Sequence, residues 1–292
     1  MLSFASLLLI VMAAIMAVLV AWAARGLLRG ERVARARPEH PPQGERGRRP
    51  MDRWVGLTRV LERRFTSSSA LVLQLTISVV LALAALWLFT QVADNVVDQD
   101  NLSQFDAQVL VLLAPWRTST GLAVASAVSR FGTVLLMSGL ALVLVLTMYR
   151  HQWRAIVVGW TLVMGGGKLV ETVLKHTFHR HRPIGALHML HSASYSYPSG
   201  HAMGSMIGYG MLAYLVLLRV QRPAWRAAIT ATTAVIILAI GLSRLVLAVH
   251  FFTDVVGGYA AGAVWLALSI AAVQAARERV VVAHDAERRH AA

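Results

Sequence analysis

The stretch Gly241-Leu-Ser-Arg-Leu-Val-Leu-Ala-Val-His-Phe-Phe-Thr-Asp254 begins inside an apolar run, yet it carries Ser243, Arg244, His250 and Asp254. An arginine or histidine in an apolar span is costly, and by default it faces a polar cavity and marks a functional site. On a continuous helix Ser243 and His250, seven apart, share a face with Arg244 beside them. His250 and Asp254 are four apart, so the carboxylate can hold one ring nitrogen if the helix continues that far. Taken singly, Arg244 reads equally well as a snorkelling arginine and His250 as an ordinary interfacial histidine. Two further clusters upstream shift that balance.

Of the 292 residues, 57% are hydrophobic and 14% charged. This composition describes an all-α, polytopic membrane bundle and excludes an ordinary soluble domain. The formal net charge of +14 could suggest a nucleic-acid partner. Most arginines, however, lie between apolar spans or in the tails, where they set topology and meet anionic lipid head groups. The chain has no cysteine, so it has neither a disulfide nor a thiolate nucleophile or metal ligand.

Outward from the opening stretch, apolar runs near 71–92, 121–148, 155–175, 200–218, 227–249 and 255–276 each have the length of a spanning helix. A further run at 2–24 reads as an uncleaved N-terminal transmembrane helix. Ala21-Trp22-Ala23 faintly resembles a signal-peptidase site, but there is no basic segment before the run and the run is long for a signal peptide. Residues 25–69 form a basic linker containing Arg32, Arg35, Arg37, Arg46, Arg48, Arg49 and Arg53, with an amphipathic surface helix expected at 53–65. Asp94, Asp98, Asp100 and Asp106 precede a short apolar segment at 109–114 ended by Pro115, which predicts an external loop with an interfacial helix. Lysine and arginine counts in alternate loops place 25–69, 150–154, 219–226 and the 277–292 tail in the cytoplasm. The expected organisation is therefore seven spans with the N-terminus outside: an N-terminal helix at 1–24, the linker, a membrane domain at 70–276, and the tail.

The second cluster is Lys175-His-Thr-Phe-His-Arg-His-Arg182-Pro183, and the third is Pro198-Ser199-Gly200-His201 at the start of a span. By the charge count all three clusters sit at the outer membrane surface. Their common chemistry is binding and attack on a phosphate. Pro-Ser-Gly at a helix start exposes backbone N–H groups and the positive end of the helix dipole. Ser199 adds a hydroxyl, and Lys175, Arg182 and Arg244 add positive charge in forms that suit phosphate oxygens. Two histidines with different neighbours can divide nucleophile and general acid between them. His250 has Asp254 to fix its tautomer, and His201 has no acidic neighbour in sequence.

Other readings compete. His176, His179, His181, His188 and His191 allow a zinc site, but Arg180 and Arg182 make the loop strongly positive and it has no acidic residue. No metal site and no cofactor are expected. Gly165-Gly166-Gly167-Lys168 lacks the spacing of a phosphate-binding loop and reads better as small-residue helix packing. Lys168 and Glu171 read as a buried pair serving packing before any substrate role. Arg117 and Arg130 read as interfacial anchors.

Lysine, six residues, Arg-Pro; then Pro-Ser-Gly-His; then Ser-Arg, five residues, His, three residues, Asp: in that order the chain closely resembles the type 2 phosphatidic acid phosphatase superfamily. Lys175, Arg182, Pro183, Pro198, Ser199, Gly200, His201, Ser243, Arg244, His250 and Asp254 fill every signature position. The resemblance covers about residues 70–276. It implies a six-helix lipid-phosphatase core, to which the N-terminal transmembrane helix is an addition, and a metal-independent double displacement. In that scheme His250 attacks phosphorus to form a phosphohistidine, Asp254 orients it, and His201 protonates the leaving oxygen and then activates water. Lys175, Arg182, Ser199, Gly200, Ser243 and Arg244 hold the phosphoryl oxygens.

The expected function is an integral membrane phosphatase in the inner (plasma) membrane. It would hydrolyse a lipid phosphate or diphosphate at the extracytoplasmic face, with undecaprenyl diphosphate favoured and phosphatidic acid or phosphatidylglycerol phosphate close behind. The partners expected are that lipid and the bilayer, with no nucleic acid; no protein partner can be inferred. Phosphotransfer to a second lipid, and non-catalytic head-group binding or transport, stay open. A vanadate-holding haloperoxidase is disfavoured because such enzymes are soluble.

Overall fold

The computed structural model describes residues 76, 79–97, 101–148, 153–183 and 194–290. The helix expected at 2–24 and the linker at 25–69 lie outside the described residues, as do His188 and His191. Every regular element among the described residues is helical. They are α1 (Val79–Val97), α2 (Asn101–Leu112), α3 (Ser119–Arg130), α4 (Val134–Met148), α5 (Trp153–Phe178), α6 (Gly200–Leu217), α7 (Pro223–Val246) and α8 (Phe252–His290). A 3-10 turn, Ala114–Trp116, separates α2 from α3. Residues 82–270 form one compact unit, and 79–81 and 271–290 are the described ends of α1 and α8 outside it.

Helices α1, α5, α7 and α8 are long and apolar enough to cross a membrane. Large apolar side chains such as Leu135, Leu162 and Leu169 stay exposed on them and on α4, as a lipid solvent permits. Helix α6 matches the expected span at 200–218 in extent but is not among the long apolar helices. Its Gly, Ser and Tyr content suits another role: it packs against α4, α5 and α7 and buries Ala202, Met203, Ser205, Ile207, Tyr209 and Met211.

Two expected elements differ. The run at 121–148 is not one helix, because Phe131, Gly132 and Thr133 turn the chain between α3 and α4. Their N–H groups bond to the carbonyls of Val128, Ser129 and Arg130 in tight i to i−3 steps, which end α3. Gly132 is required there, since a Cβ would press on Ile240 and the His201 ring. The segment expected as a short interfacial helix at 109–114 starts earlier, at Asn101, and draws Asp106 out of the acidic loop into a buried helical position. Helices α2 and α3 then meet at 115°, with Pro115 in the opening turn of the intervening 3-10 segment.

Small residues set the spacing on which the site depends. The Trp265 ring of α8 lies against Gly166 and Gly167 of α5, and its Nε1–H donates to Val163 O at 2.8 Å. The glycine run thus serves packing at two of its three positions; Gly165 has open space beside it. A Cβ at Gly258 would sit 2.7 Å from Ser199 O, so this glycine lets α8 approach the start of α6. Phe89, Phe178 and Tyr197 stack together beneath the same end of the bundle, with the closest centroids 4.9 Å apart.

Helix α7 ends at Val246, so Ser243 and His250 do not share a helix. The end is a Schellman motif: Ala248 N–H bonds to Leu245 O, and Val249 N–H bonds to Arg244 O. Ala248 occupies the left-handed position at φ 51°, where glycine is the unstrained choice. Helix α5 ends comparably, with His179 at φ 46° and its N–H on Lys175 O. Each reversal aims the next few residues back at the bundle end. Ala248→Gly is expected to hold or raise the thermal unfolding midpoint in detergent. The left-handed penalty of about 1 kcal/mol is relieved against a smaller entropic cost. Ala248→Val, β-branched at positive φ, is expected to lower the midpoint clearly.

Candidate active site

The last turn of α7 and its reversal deliver Arg244 and His250, while the first turn of α8 delivers Asp254. His250 and Asp254 therefore meet across a loop-to-helix junction rather than along one helix. His250 Nδ1 lies 3.4 Å from Asp254 Oδ2, which also accepts the Phe251 N–H at 2.9 Å. Both side chains are buried. With Asp254 ionised the proton rests on Nδ1, leaving the Nε2 lone pair exposed to the site. That Nε2 is 3.3 Å from Arg182 Nη1.

Arg182 is held by carbonyls rather than carboxylates. It donates to Val249 O at 2.9 Å and Ser194 O at 2.9 Å, and to Ser194 Oγ at 3.0 Å. Lys175, in the last turn of α5, donates to Tyr195 O at 2.8 Å and lies 3.8 Å from Glu171 Oε1. Glu171 also receives Lys168 Nζ at 2.8 Å, with Lys168 63% exposed and Glu171 buried. The Glu171 carboxylate lies where a Cβ on Gly200 would go. The expected Lys168–Glu171 pair is therefore half buried, and it abuts the start of α6.

Ser199 is the N-cap of α6. Its N–H donates to Asp254 O at 2.9 Å, which ties the second cluster to the third. Its Oγ is buried with no hydrogen-bond partner among the described residues, and so is Arg244 Nε. Arg244 Nη1 donates to Ser129 Oγ at 2.5 Å, at the end of α3. His201 lies beside Gly132. The Ser243 hydroxyl turns back to Ile240 O at 2.6 Å within its own helix. The structure thus brings Arg182, His250, Asp254 and Ser199 into one linked group, with Arg244 acting on His250 electrostatically, while Ser243 faces its own helix.

Four participants were not singled out from sequence. Arg180 donates to Asp254 Oδ1 at 2.6 Å, to Asp106 Oδ2 at 2.8 Å and to Thr253 Oγ1 at 2.7 Å. Asp106 accepts the Thr253 N–H at 2.9 Å and its hydroxyl at 2.5 Å. Ser129 is the fourth. The sequence did hold a clue to Asp106, as the one acidic residue in the otherwise uncharged α2. Arg117 is no simple interfacial anchor: it reaches Val246 O and Leu110 O at 3.1 and 2.9 Å and so caps the end of α7.

Among the described residues no three His, Cys, Asp or Glu side chains converge as metal ligands. His176 and His179 instead stand edge-on to the Tyr195 ring. Burial pushes the His250 imidazole down to about 4, with Arg182 and Arg244 pushing the same way and Asp254 opposing them. Burial alone would lower the Arg180 guanidinium too, but Asp254 and Asp106 outweigh it and raise it.

His250 is therefore neutral in the folded protein where an unfolded histidine would begin to protonate. Between pH 6.5 and about 4 the unfolded chain binds more protons. The His250 contribution is complete above 6.5 and is lost as the pH falls through that window. Thermal unfolding in detergent should show a falling midpoint over this range, with a shallower fall in His250→Gln.

Residues 157–278 match the model of the PAP2 superfamily. Phosphatidylglycerophosphatase B of Bacillus subtilis (strain 168) is 35% identical over 115 residues, which is 39% of this chain and 55% of that relative. The chain thus spans about half the length of that curated relative. A crystal structure of a transmembrane PAP2 type phosphatidylglycerolphosphate phosphatase from Bacillus subtilis is similar with a TM-score of 0.58. It shares 26% identity and covers 65% of this chain and 94% of its own. With its signature clusters gathered at one end of a bundle of apolar helices, this chain resembles the PAP2 superfamily over residues 157–278 and is a multi-pass membrane protein.

Proposed function

We propose that this protein hydrolyses a lipid phosphate or diphosphate without metal, through a phosphohistidine, at the extracytoplasmic face of the inner (plasma) membrane. One observation carries the reading: two buried donors, Ser199 Oγ and Arg244 Nε, have no partner among the described residues beside a neutral, Asp254-bound His250. A buried donor without an acceptor is costly, and a phosphoryl group supplies acceptors to both.

In the proposed reaction His250 Nε2 attacks phosphorus as the bond to the lipid oxygen breaks, and His201 gives its proton to that oxygen. Asp254 balances the positive charge on the phosphorylated ring. His201 then takes a proton from water, the water oxygen attacks phosphorus, the P–N bond breaks and inorganic phosphate leaves. Lys175, Arg182, Ser199, the Gly200 N–H, Ser243 and Arg244 hold the equatorial oxygens as charge builds in the transition state. The three cations supply the charge stabilisation that a metal ion gives elsewhere. Ser243 must turn its hydroxyl away from Ile240 O to take part.

A site at the mouth of apolar helices suits a head group whose tails remain in lipid. The names of the Bacillus relatives favour phosphatidylglycerol phosphate as substrate, with phosphatidic acid and undecaprenyl diphosphate as the competitors. Purified protein in detergent with EDTA is expected to release phosphate from at least one of these lipids. His250→Ala is expected to lose at least a thousandfold of that rate. Release abolished by EDTA would overturn the metal-free mechanism; no release from any of the lipids would overturn the assignment.

The sidedness rests on the arginine-rich loops at 150–154 and 219–226. A reporter fused after Ala292 is expected to read cytoplasmic, and an external reading would place the site on the opposite face.

A further inference from the structure

We propose that Arg180 and Asp106 form a charge-balanced clamp that positions Asp254 and thereby sets the basicity of His250. The inference rests on the reading of His250 as nucleophile, and neither residue belongs to the signature that led to that reading. Arg180 is the hinge of the clamp. One arm of its guanidinium holds Asp254 Oδ1 and Thr253 Oγ1, and the other holds Asp106 Oδ2. Its plane also lies 4.3 Å over the Phe251 ring. Asp106 completes the circuit by accepting the N–H and hydroxyl of Thr253. A residue of α2 therefore fixes both the arginine and the first turn of α8.

The charges explain why two carboxylates are present. Arg180 alone on Asp254 would cancel the negative charge that favours a proton on Nδ1 and a nucleophilic Nε2. Asp106 shares the guanidinium, is itself buried, and leaves Asp254 with net negative character toward the imidazole. The groups facing His250 are otherwise cationic: Arg182 from the loop and Arg244 from α7. Lys175 of α5 acts on Asp254 and Arg182, and His201 of α6 lies within electrostatic range of His250. Among the described residues the Asp106 and Arg180 side chains make no hydrogen bond or ion pair with the donors proposed to hold phosphate, so their effect passes through Asp254. They are positioning residues.

Opposite shifts follow from the two halves of the clamp. Asp106→Asn keeps the shape but frees the full Arg180 charge onto Asp254, so His250 should titrate at lower pH. Arg180→Gln removes the cation and leaves Asp254 fully negative, so His250 should titrate at higher pH. The direct measurement is the His250 signal in 15N-histidine-labelled full-length protein in detergent, assigned with His250→Gln and followed against pH. Turnover of the lipid phosphate should fall at least tenfold in kcat in both variants with KM within about twofold, and the acid limb of kcat/KM should move in the same two directions. Thr253→Val, a neutral and smaller change, should lower kcat several-fold and covers the case in which a charged-site variant does not fold. Unmoved or same-direction titrations in folded variants would overturn the clamp, as would wild-type kcat in Thr253→Val. Because the NMR titration needs no substrate, its outcome stands apart from whether the wild type releases phosphate.

Discussion

A fully buried carboxylate, Asp254, is the constraint around which this end of the bundle is built. Left alone, such a charge would cost several kcal/mol and would be neutralised by protonation. Here it receives the Arg180 guanidinium, the Phe251 N–H and the His250 ring, with Ser196 Oγ at 3.5 Å. Those partners come from the segment after α5, from the link between α7 and α8, and from the strand of chain before α6. Satisfying one carboxylate therefore brings three separate parts of the sequence to the same place. The apolar helices supply a wall that excludes water, and exclusion of water in turn makes each of these hydrogen bonds count for more.

Helix ends do the aiming. In a membrane the unpaired carbonyls at a helix end need partners unless they reach water. The structure meets that need with left-handed residues at His179 and Ala248 and with arginines. Arg117 takes Val246 O, and Arg182 takes Val249 O. The same bonds that close the end of α7 fix the path of residues 247–251, so His250 is held by the backbone as well as by Asp254. In the proposed reaction that rigidity matters: a nucleophile already set against its carboxylate needs little rearrangement as charge develops.

Much of this was legible in the sequence. The signature residues, far apart in sequence, come together at one end of the bundle, and the long apolar runs identify α1, α5, α7 and α8. Hydropathy could not separate α3 from α4, since the break at Phe131–Gly132–Thr133 is made by local hydrogen bonds and by the room that His201 and Ile240 leave only to glycine. Nor could spacing show that a reversal, rather than helical continuity, pairs His250 with Asp254. In sequence Asp106 reads with its acidic neighbours as loop, because nothing local distinguishes a carboxylate that meets water from one that meets an arginine 74 residues away. Arg180 reads in sequence only as general positive charge beside Arg182. What separates them is three-dimensional, since one finds two carboxylates and the other finds carbonyls and an imidazole.

That division answers a conflict inherent in any site that must hold a phosphate and attack it with histidine. Burial pushes the His250 imidazole down to about 4, and Arg182 and Arg244, the cations proposed to bind phosphoryl oxygens, push the same way. A weakly basic imidazole is reliably unprotonated, and hence available, but it is also a poorer nucleophile. A carboxylate behind the ring restores nucleophilicity only if its own charge is not spent on a neighbouring cation. Arg180 is such a neighbour, and Asp106 is placed to take up half of it. In the proposed reaction the second carboxylate belongs to the electrostatics of the site as much as to the packing of α2, and its burial against Thr253, 147 residues away, is the cost of keeping the proposed phosphate-binding cations and the proposed nucleophile in one small volume.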